Sequence, residues 1–159
     1  MFVGPVPIDF DTELHPGYCV INELCKINLN KMKNNGKTKL GVIFNLDPHD
    51  KPGSHWVSMF ADFDKLNEIY YFDSYGLKEP KEVTNLMNRL KEQSENNGNE
   101  TKLHVNNVRH QFKNSECGIY SINFILRLLE GNTFEDLKNN IVKDDEMEDN
   151  REKLFIKYF

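Results

Sequence analysis

Residues 114–131 read NSECGIYSINFILRLLEG, a polar loop that runs directly into a strongly apolar segment. From Ile119 to Leu129 the apolar residues cover most of a helical wheel, so this segment predicts a helix that is buried on nearly every side. Gly131 is suited to its C-terminal cap, and Asn114 and Ser115 are suited to its N-terminal cap. We therefore expect this helix to be the element around which the rest of the chain is organised.

Cys117 falls in the first turn of the predicted helix. The unpaired backbone N–H groups and the dipole of a helix N-terminus favour an anion there, which lowers the pKa of a thiol and raises its nucleophilicity. Two interpretations stay open on this segment alone. Cys117 is either a reactive thiolate or a buried core cysteine, which is a common environment for an unpaired cysteine.

The composition is that of a soluble globular protein. The chain has 159 residues, of which 38% are hydrophobic and 28% are charged, so we expect residues 1–159 to form a single domain with a substantial core. It contains neither a run of about 18 apolar residues nor a signal-peptide pattern at the start, which predicts an intracellular protein with no membrane partner. The net charge of −5 argues against nucleic acid as a partner.

The three cysteines do not predict a disulfide framework. They are odd in number and lack the spacing of a metal site, so we expect no metal and no other cofactor. Cys19 and Cys25 have no assigned role, and we expect both to be buried thiols.

The apolar patterns predict an α+β fold. Strands are expected over 40–46, 55–63, 68–73 and 102–108, and helices over 18–29, from Pro80, over 133–141 and over 144–158. A short polar link joins the second and third of these strands, which predicts an antiparallel hairpin. Together these elements predict a mixed, mostly antiparallel sheet packed against the buried helix that carries Cys117.

A cysteine nucleophile needs a base, a group that orients the base, and donors for the oxyanion. His55 opens a predicted strand, so it should lie at the rim of the sheet; it could equally be a surface or capping histidine. Asp73 ends the neighbouring strand and could orient an imidazole through its second ring N–H, or it could merely begin a turn. The other histidines that could serve as the base are His15, His49, His104 and His110.

Gln111 is the candidate oxyanion donor. It lies six positions before Cys117, and its amide could act together with the backbone N–H of Cys117. The alternative is a loop glutamine without a catalytic role.

Taken together, these residues resemble a known set of motifs. The pairs His55-Trp56 and Asp73-Ser74, with Gln111 six residues before the Cys of Glu116-Cys117-Gly118, resemble the adenovirus-type maturation protease and SUMO-protease superfamily of cysteine peptidases. The order His, Asp, Cys also differs from that of papain-like enzymes. The resemblance covers residues 42–129, and the segments 4–10, 45–47 and 144–159 look more like versions from large DNA viruses and related elements than like cellular SUMO proteases.

The resemblance implies a role for each of these residues. His55 would be the general base, Asp73 its orienting group, Cys117 the nucleophile and Gln111 the oxyanion donor. Trp56 would line the cleft and cover a substrate glycine, although a core aromatic on a strand is compatible with the same position. The implied substrate is a protein or peptide that is cut after a small residue, at a Gly-Gly or Gly-X site.

Three functions remain open. The first is a virion maturation protease that cuts capsid or core precursors, located in the host cytoplasm or in the virion, and the short chain favours it. The second is a deconjugase for SUMO or other ubiquitin-like proteins, which would need a broad surface to bind a folded modifier. The third is an inactive peptide-binding module, against which the complete set of catalytic residues argues.

Overall fold

The computed structural model describes residues 1–158. Over this range the strands are β1 (Phe2–Pro7), β2 (Glu13–His15), β3 (Tyr18–Cys19), β4 (Lys39–Asn45), β5 (Trp56–Asp62), β6 (Glu68–Phe72) and β7 (Lys102–Val105). The helices are α1 (Asn22–Cys25), α2 (Leu29–Asn34), α3 (Lys81–Asn96), α4 (Cys117–Leu129), α5 (Phe134–Asn139) and α6 (Asp144–Tyr158). None of these helices combines the length and the apolar character needed to cross a membrane.

The main sheet is mixed, in the order β1-β4-β5-β6-β7. The central pairs β4–β5 and β5–β6 are antiparallel, which confirms the predicted hairpin. The outer pairs β1–β4 and β6–β7 are parallel, and β2 and β3 form a separate antiparallel pair. The predicted α+β class is confirmed.

The sheet separates two apolar clusters because successive side chains of a strand point to opposite faces. On one face, Val57 and Met59 of β5 pack in a cluster with Leu86 of α3. On the other face, Phe60 packs in a cluster with Phe124 of α4. Helices therefore cover both faces of the sheet, and α4 lies on the opposite face from α3.

Helix α4 confirms the prediction in its extent and corrects it in two details. The residue at the N-cap position is Glu116, whose side chain does not cap the helix; neither Asn114 nor Ser115 takes that position. Its burial is also incomplete, since Ile122 and Leu129 are 38% and 50% exposed. One edge of α4 thus faces solvent, because the sheet and the later helices cover only part of its circumference.

At the other end of α4 the chain turns at Gly131. Its φ of +96° lies in the left-handed region that favours glycine, and its N–H donates to the Leu128 carbonyl. The predicted C-terminal signal is confirmed.

A glycine in β4 determines how closely α4 approaches the sheet. A Cβ atom at Gly41 would lie 3.1 Å from Cγ2 of Ile125 on α4. The absence of a side chain at this position therefore lets the helix pack directly on the strand.

The predicted helix over 18–29 is wrong. This segment contains β3, the short helix α1 and the start of α2, which begins where the Asn28 side chain accepts from the Lys31 N–H. The expectation of two buried thiols is also corrected, because Cys19 and Cys25 are joined by a disulfide.

The later elements agree better with the sequence patterns. Helices α5 and α6 confirm the predicted helices near the C-terminal end, and Thr133 caps α5 by accepting from the Asp136 N–H. Strand β7 ends at Val105 rather than at Val108. Phe159, which belongs to the tail used in the resemblance, lies outside the described residues.

Candidate active site

The antiparallel pairing of β5 with β6 brings two predicted site residues together. His55 immediately precedes β5 and Asp73 immediately follows β6, and Ser58 pairs with Phe72 between them. As a result, Nε2 of His55 lies 2.8 Å from Oδ1 of Asp73. The carboxylate of a nearly fully buried aspartate thus holds one nitrogen of the imidazole ring.

Asp73 is fixed by its own turn. Its Oδ1 also accepts a hydrogen bond from the Tyr75 N–H at 2.8 Å. The buried side chain of Asn106 donates to the carbonyl oxygens of Asp73 and of Val108, each at 2.9 Å. The position of the carboxylate is therefore set by both the backbone and a neighbouring loop.

Cys117 is the first residue of α4, and it is the free cysteine among the described residues. The His55 ring and the backbone N–H groups of Trp56 and Gly118 hydrogen-bond to its sulfur. Burial raises the pKa of the Cys117 thiol, but these hydrogen bonds and the charge of His55 outweigh burial and lower the pKa below its ordinary value.

The pKa of His55 shifts in the opposite direction. Burial lowers this pKa, but the hydrogen bonds to Asp73 and Cys117, with the negative charges of both groups, raise it to about 9. A lowered pKa of the thiol beside a raised pKa of the imidazole favours the thiolate–imidazolium pair over the neutral pair. Because Asp73 occupies Nε2, Nδ1 is the ring nitrogen left for Cys117.

Tyr75 contributes a wall to the site that the sequence analysis did not identify. Its ring stacks on the His55 imidazole, with 4.7 Å between the centroids and 23° between the planes. Its hydroxyl donates to the Lys113 carbonyl at 3.2 Å. The only sequence signal for Tyr75 was its position in the turn, two residues after Asp73.

Gln111 is anchored to the turn that carries Asp73. Its Oε1 accepts from the Ser74 hydroxyl at 2.7 Å, and its backbone N–H donates to the Ser74 carbonyl at 2.8 Å. Its Nε2 donates one hydrogen bond to the Lys113 carbonyl at 2.9 Å. Since an amide nitrogen carries two hydrogens, the second is left for another acceptor.

Trp56 is half-buried at the start of β5 and packs against the apolar cluster beneath α4. Its carbonyl accepts from the Ser121 hydroxyl of α4 at 3.2 Å. The residue therefore has a structural role in the contact between helix and sheet, and its exposed part remains available to a ligand.

The other four histidines have different surroundings. His49 pairs with Asp9 at 2.6 Å, and the His15 ring packs against Tyr18. The other two lie against the rings of Tyr70 (His104) and Phe72 (His110). Among the described residues, His55 is the histidine that hydrogen-bonds to Cys117.

Asp144, at the start of α6, is a second residue that sequence reasoning missed. Its Oδ2 accepts from the N–H groups of Phe112 and Lys113 at 2.9 and 3.0 Å, and its Oδ1 accepts from the Tyr120 hydroxyl at 3.1 Å. This carboxylate thus ties α6 and α4 to the loop that follows Gln111. No local pattern in the sequence marks such a role.

The sequence matches a protein family over most of its length. Residues 22–157 match the family described as the Ulp1 protease family, C-terminal catalytic domain. A provisionally named thiol protease of Acanthamoeba polyphaga mimivirus is 34% identical over 155 residues, which cover 97% of this chain and 49% of that protein. A cysteine protease of African swine fever virus is 34% identical over 117 residues, covering 72% and 43% of the two chains.

The structural comparison agrees with the fold. The crystal structure of the African swine fever virus protease superposes with a TM-score of 0.75 at 23% identity, over 92% of this chain and 55% of that one. This chain spans about half the length of the curated relatives it matches.

Proposed function

Because this chain belongs to the Ulp1 protease family of cysteine peptidases, we propose that it is a virus-encoded endopeptidase that cuts after small residues, at Gly-Gly or Gly-X sites. We propose further that its substrates are precursors of viral capsid or core proteins. One observation carries the proposal: Cys117, His55 and Asp73 form a continuous hydrogen-bonded series at the edge of the sheet.

Each of these three residues has a role in the first half of the reaction. The Cys117 thiolate attacks the carbonyl carbon of the scissile peptide, and the carbonyl oxygen becomes an oxyanion. When the C–N bond breaks, the His55 imidazolium gives its proton to the leaving amine, and a thioester to Cys117 remains. Asp73 keeps the imidazole oriented throughout, through the 2.8 Å hydrogen bond to Nε2.

In the second half of the reaction, the thioester is hydrolysed. Neutral His55 takes a proton from a water molecule as that water attacks the thioester carbonyl. The C–S bond then breaks, the acid product leaves, and the thiolate–imidazolium pair is restored.

Two donors support the oxyanion role. Cys117 is the first residue of α4, so its N–H has no partner within the helix. The second N–H of the Gln111 amide is held by a buried side chain that already makes two hydrogen bonds. Donors fixed in advance in this way stabilise a developing charge without a cost of reorganisation.

The proposed glycine preference rests on Trp56. Trp56 is the first residue of β5, and its backbone N–H is hydrogen-bonded to the Cys117 sulfur. A ring that covers the substrate backbone next to the nucleophile leaves no space for a Cβ atom and selects residues that lack one.

A second candidate is a deconjugase for SUMO-like proteins. The observation in its favour is that a similar protein from another African swine fever virus isolate, 34% identical over 117 residues, carries the name SUMO-1 cysteine protease. The two candidates share the chemistry and differ in whether the substrate is an extended peptide or a folded modifier.

Proteolytic profiling separates these candidates. The purified protein and a Cys117→Ala control are incubated with a pool of short Gly-containing peptides and with a panel of folded ubiquitin-like fusions, and products are identified by mass spectrometry. Cys117-dependent cutting of peptides after glycine supports the endopeptidase. Cutting of the fusions with the peptides left intact supports the deconjugase. Cutting of neither, with Cys117 unreactive towards an alkylating agent, contradicts both.

A further inference from the structure

A cation lies between two aromatic rings beside the candidate active site. The guanidinium carbon of Arg109 is 5.4 Å from the centroid of the Tyr75 ring and 4.8 Å from that of Phe112. Both distances are within the range of a cation–π interaction, which is strongest for planar, weakly hydrated guanidinium groups. The two rings therefore restrict where this flexible side chain can lie.

The orientation of the guanidinium is also fixed. Its Nε donates to the Gln111 carbonyl at 2.8 Å. Within the described part of the chain, its terminal N–H groups have no hydrogen-bond partner, and Arg109 is exposed. The two terminal nitrogens of the guanidinium thus present the planar pair of donors that matches a carboxylate.

The cation is close enough to contact a substrate. The Tyr75 ring stacks on the His55 ring at 4.7 Å and also contacts the Arg109 guanidinium at 5.4 Å. The guanidinium therefore lies within about 10 Å of the His55 ring, a distance that about three residues of extended chain would span. Phe112 is 66% exposed and forms the outer wall of this surface.

Nearby acids do not neutralise this cation. Glu116 is buried, and its carboxylate accepts hydrogen bonds from the backbone and the hydroxyl of Ser115. Asp145 pairs with Lys113. The charge of Arg109 consequently remains available to an outside anion.

We propose that Arg109, between Tyr75 and Phe112, forms a subsite for a carboxylate side chain of the substrate, located within about three residues of the scissile bond. This inference rests on the proposed peptidase function and adds a selectivity to it. The substrate it identifies has a glycine at the cut and an aspartate or glutamate nearby.

Substrate profiling by charge tests the subsite. One Gly-containing peptide is varied to carry Glu, Gln or Lys at each of three positions on either side of the cut, and kcat/KM is measured for each variant. At one position we expect Glu to be preferred to Lys by about tenfold, the effect of one hydrogen bond to a charged group. Lys65→Glu serves as the control for the Arg109→Glu variant described next, because it reverses an equal charge in the exposed turn after β5, at the end of that strand far from His55.

A charge reversal distinguishes selectivity from a merely structural role. In Arg109→Glu the preference at that position should invert, so that Lys is favoured. If Arg109 served only to hold the Gln111 loop, kcat would fall equally for all peptides and the order of preference would not change. That result, or a wild-type profile without charge preference at all six positions, would overturn the subsite.

Binding is measured alongside turnover, so that the two proposals can fail separately. The same peptides carry a fluorophore, and their Kd for the Cys117→Ala protein is determined by anisotropy. If no peptide is cut but Glu peptides bind more tightly and Arg109→Glu reverses this order, the subsite stands and the peptidase function fails. If neither assay detects a charge preference, the subsite is rejected whatever the outcome for cleavage.

Discussion

His55 and Asp73 are joined by a 2.8 Å hydrogen bond between Nε2 and Oδ1, and the pairing of β5 with β6 produces this contact. The bond occupies one ring nitrogen and directs the other towards Cys117. It also places a negative charge next to the imidazole, which favours its protonated form. The protonation states of the site therefore depend on the geometry of a β-hairpin.

Asp73→Asn should reduce kcat/KM by about 10²–10⁴-fold while the fold is retained. An amide can donate its own hydrogen to Nε2, which would leave the proton on the ring nitrogen that should face the sulfur. The rate is measured with a Gly-containing peptide, and circular dichroism checks the fold. A rate within a factor of two of wild type would exclude Asp73 from the proposed role.

Activity should depend on pH as a bell-shaped curve. As the pH rises through the lowered pKa of Cys117, the thiolate forms and kcat/KM increases. As the pH rises further, through about 9, His55 loses the proton that the leaving amine requires, and kcat/KM decreases. In Asp73→Asn the alkaline limb should move to lower pH, because the charge that raises the His55 pKa is gone. If the alkaline limb of Asp73→Asn stayed at the wild-type pH, the decrease in activity at high pH would belong to a group other than His55.

Alkylation of Cys117 should report its thiolate directly. His55→Ala removes a hydrogen bond and a positive charge that lower the thiol pKa. Since each unit of increase in this pKa reduces the thiolate tenfold at a pH below it, the rate with iodoacetamide at pH 6.5 should fall by about tenfold or more. His49→Ala, at a histidine that pairs with Asp9 instead, should leave the rate unchanged. Equal rates for all three proteins would contradict the ion pair.

Asp144→Ala should weaken both the fold and catalysis. Its loss leaves the Phe112 and Lys113 N–H groups without their acceptor, which should lower the free energy of unfolding by about 1–3 kcal/mol. Release of the loop after Gln111 should lower kcat by roughly tenfold. The alkylation rate should stay constant, because the thiolate does not depend on this carboxylate.

The adjacent residue supplies the control for this experiment. The Asp145 side chain is 84% exposed and makes a surface ion pair with Lys113. Surface pairs contribute little, so Asp145→Ala should alter neither kcat nor chemical denaturation measurably. If Asp144→Ala and Asp145→Ala behaved alike, the proposal that Asp144 holds the loop after Gln111 would be wrong.

Gly76→Ala should be more destabilising than Gly98→Ala. Both glycines have a positive φ, of +71° and +84°, so both substitutions carry the backbone cost of about 1–2 kcal/mol. At Gly76 the new Cβ would also lie 2.7 Å from the Val108 carbonyl carbon, whereas at Gly98 it would meet no atom within 4 Å. We expect the free energy of unfolding to differ between the variants by about 1–3 kcal/mol in urea denaturation. Equal free energies of unfolding for the two variants would mean that the backbone at residues 108–109 moves to accommodate the new Cβ atom at no cost.

Local patterns were sufficient to predict the elements that carry the proposed nucleophile and the proposed base. The strands β4, β5 and β6 are short apolar runs bounded by turn residues, and α4 is an apolar run too long for a strand. The order of these elements then placed His55 and Asp73 on neighbouring strands. The hairpin in turn accounts for their contact in the structure.

Local patterns failed where the structure depends on distant contacts. The apolar spacing of residues 18–29 is helical, yet the segment is divided among three elements, with Cys19 paired to Cys25. Asn106 and Asp144 act through hydrogen bonds to partners about 30 residues away in the chain. Short polar side chains of this kind are common in loops and at helix starts, so the sequence offers no means of distinguishing these two.

The close packing of α4 on Gly41 has a consequence for chemistry at the other end of that helix. Ile125 touches this glycine two helical turns beyond Cys117, a distance of about 12 Å. Cys117 is carried by α4 and His55 precedes β5 of the sheet, so the spacing between the helix and the sheet helps to set the distance between the sulfur and the imidazole. Gly41, which has no side-chain functional group, thereby contributes to the distance between the proposed nucleophile and its proposed base.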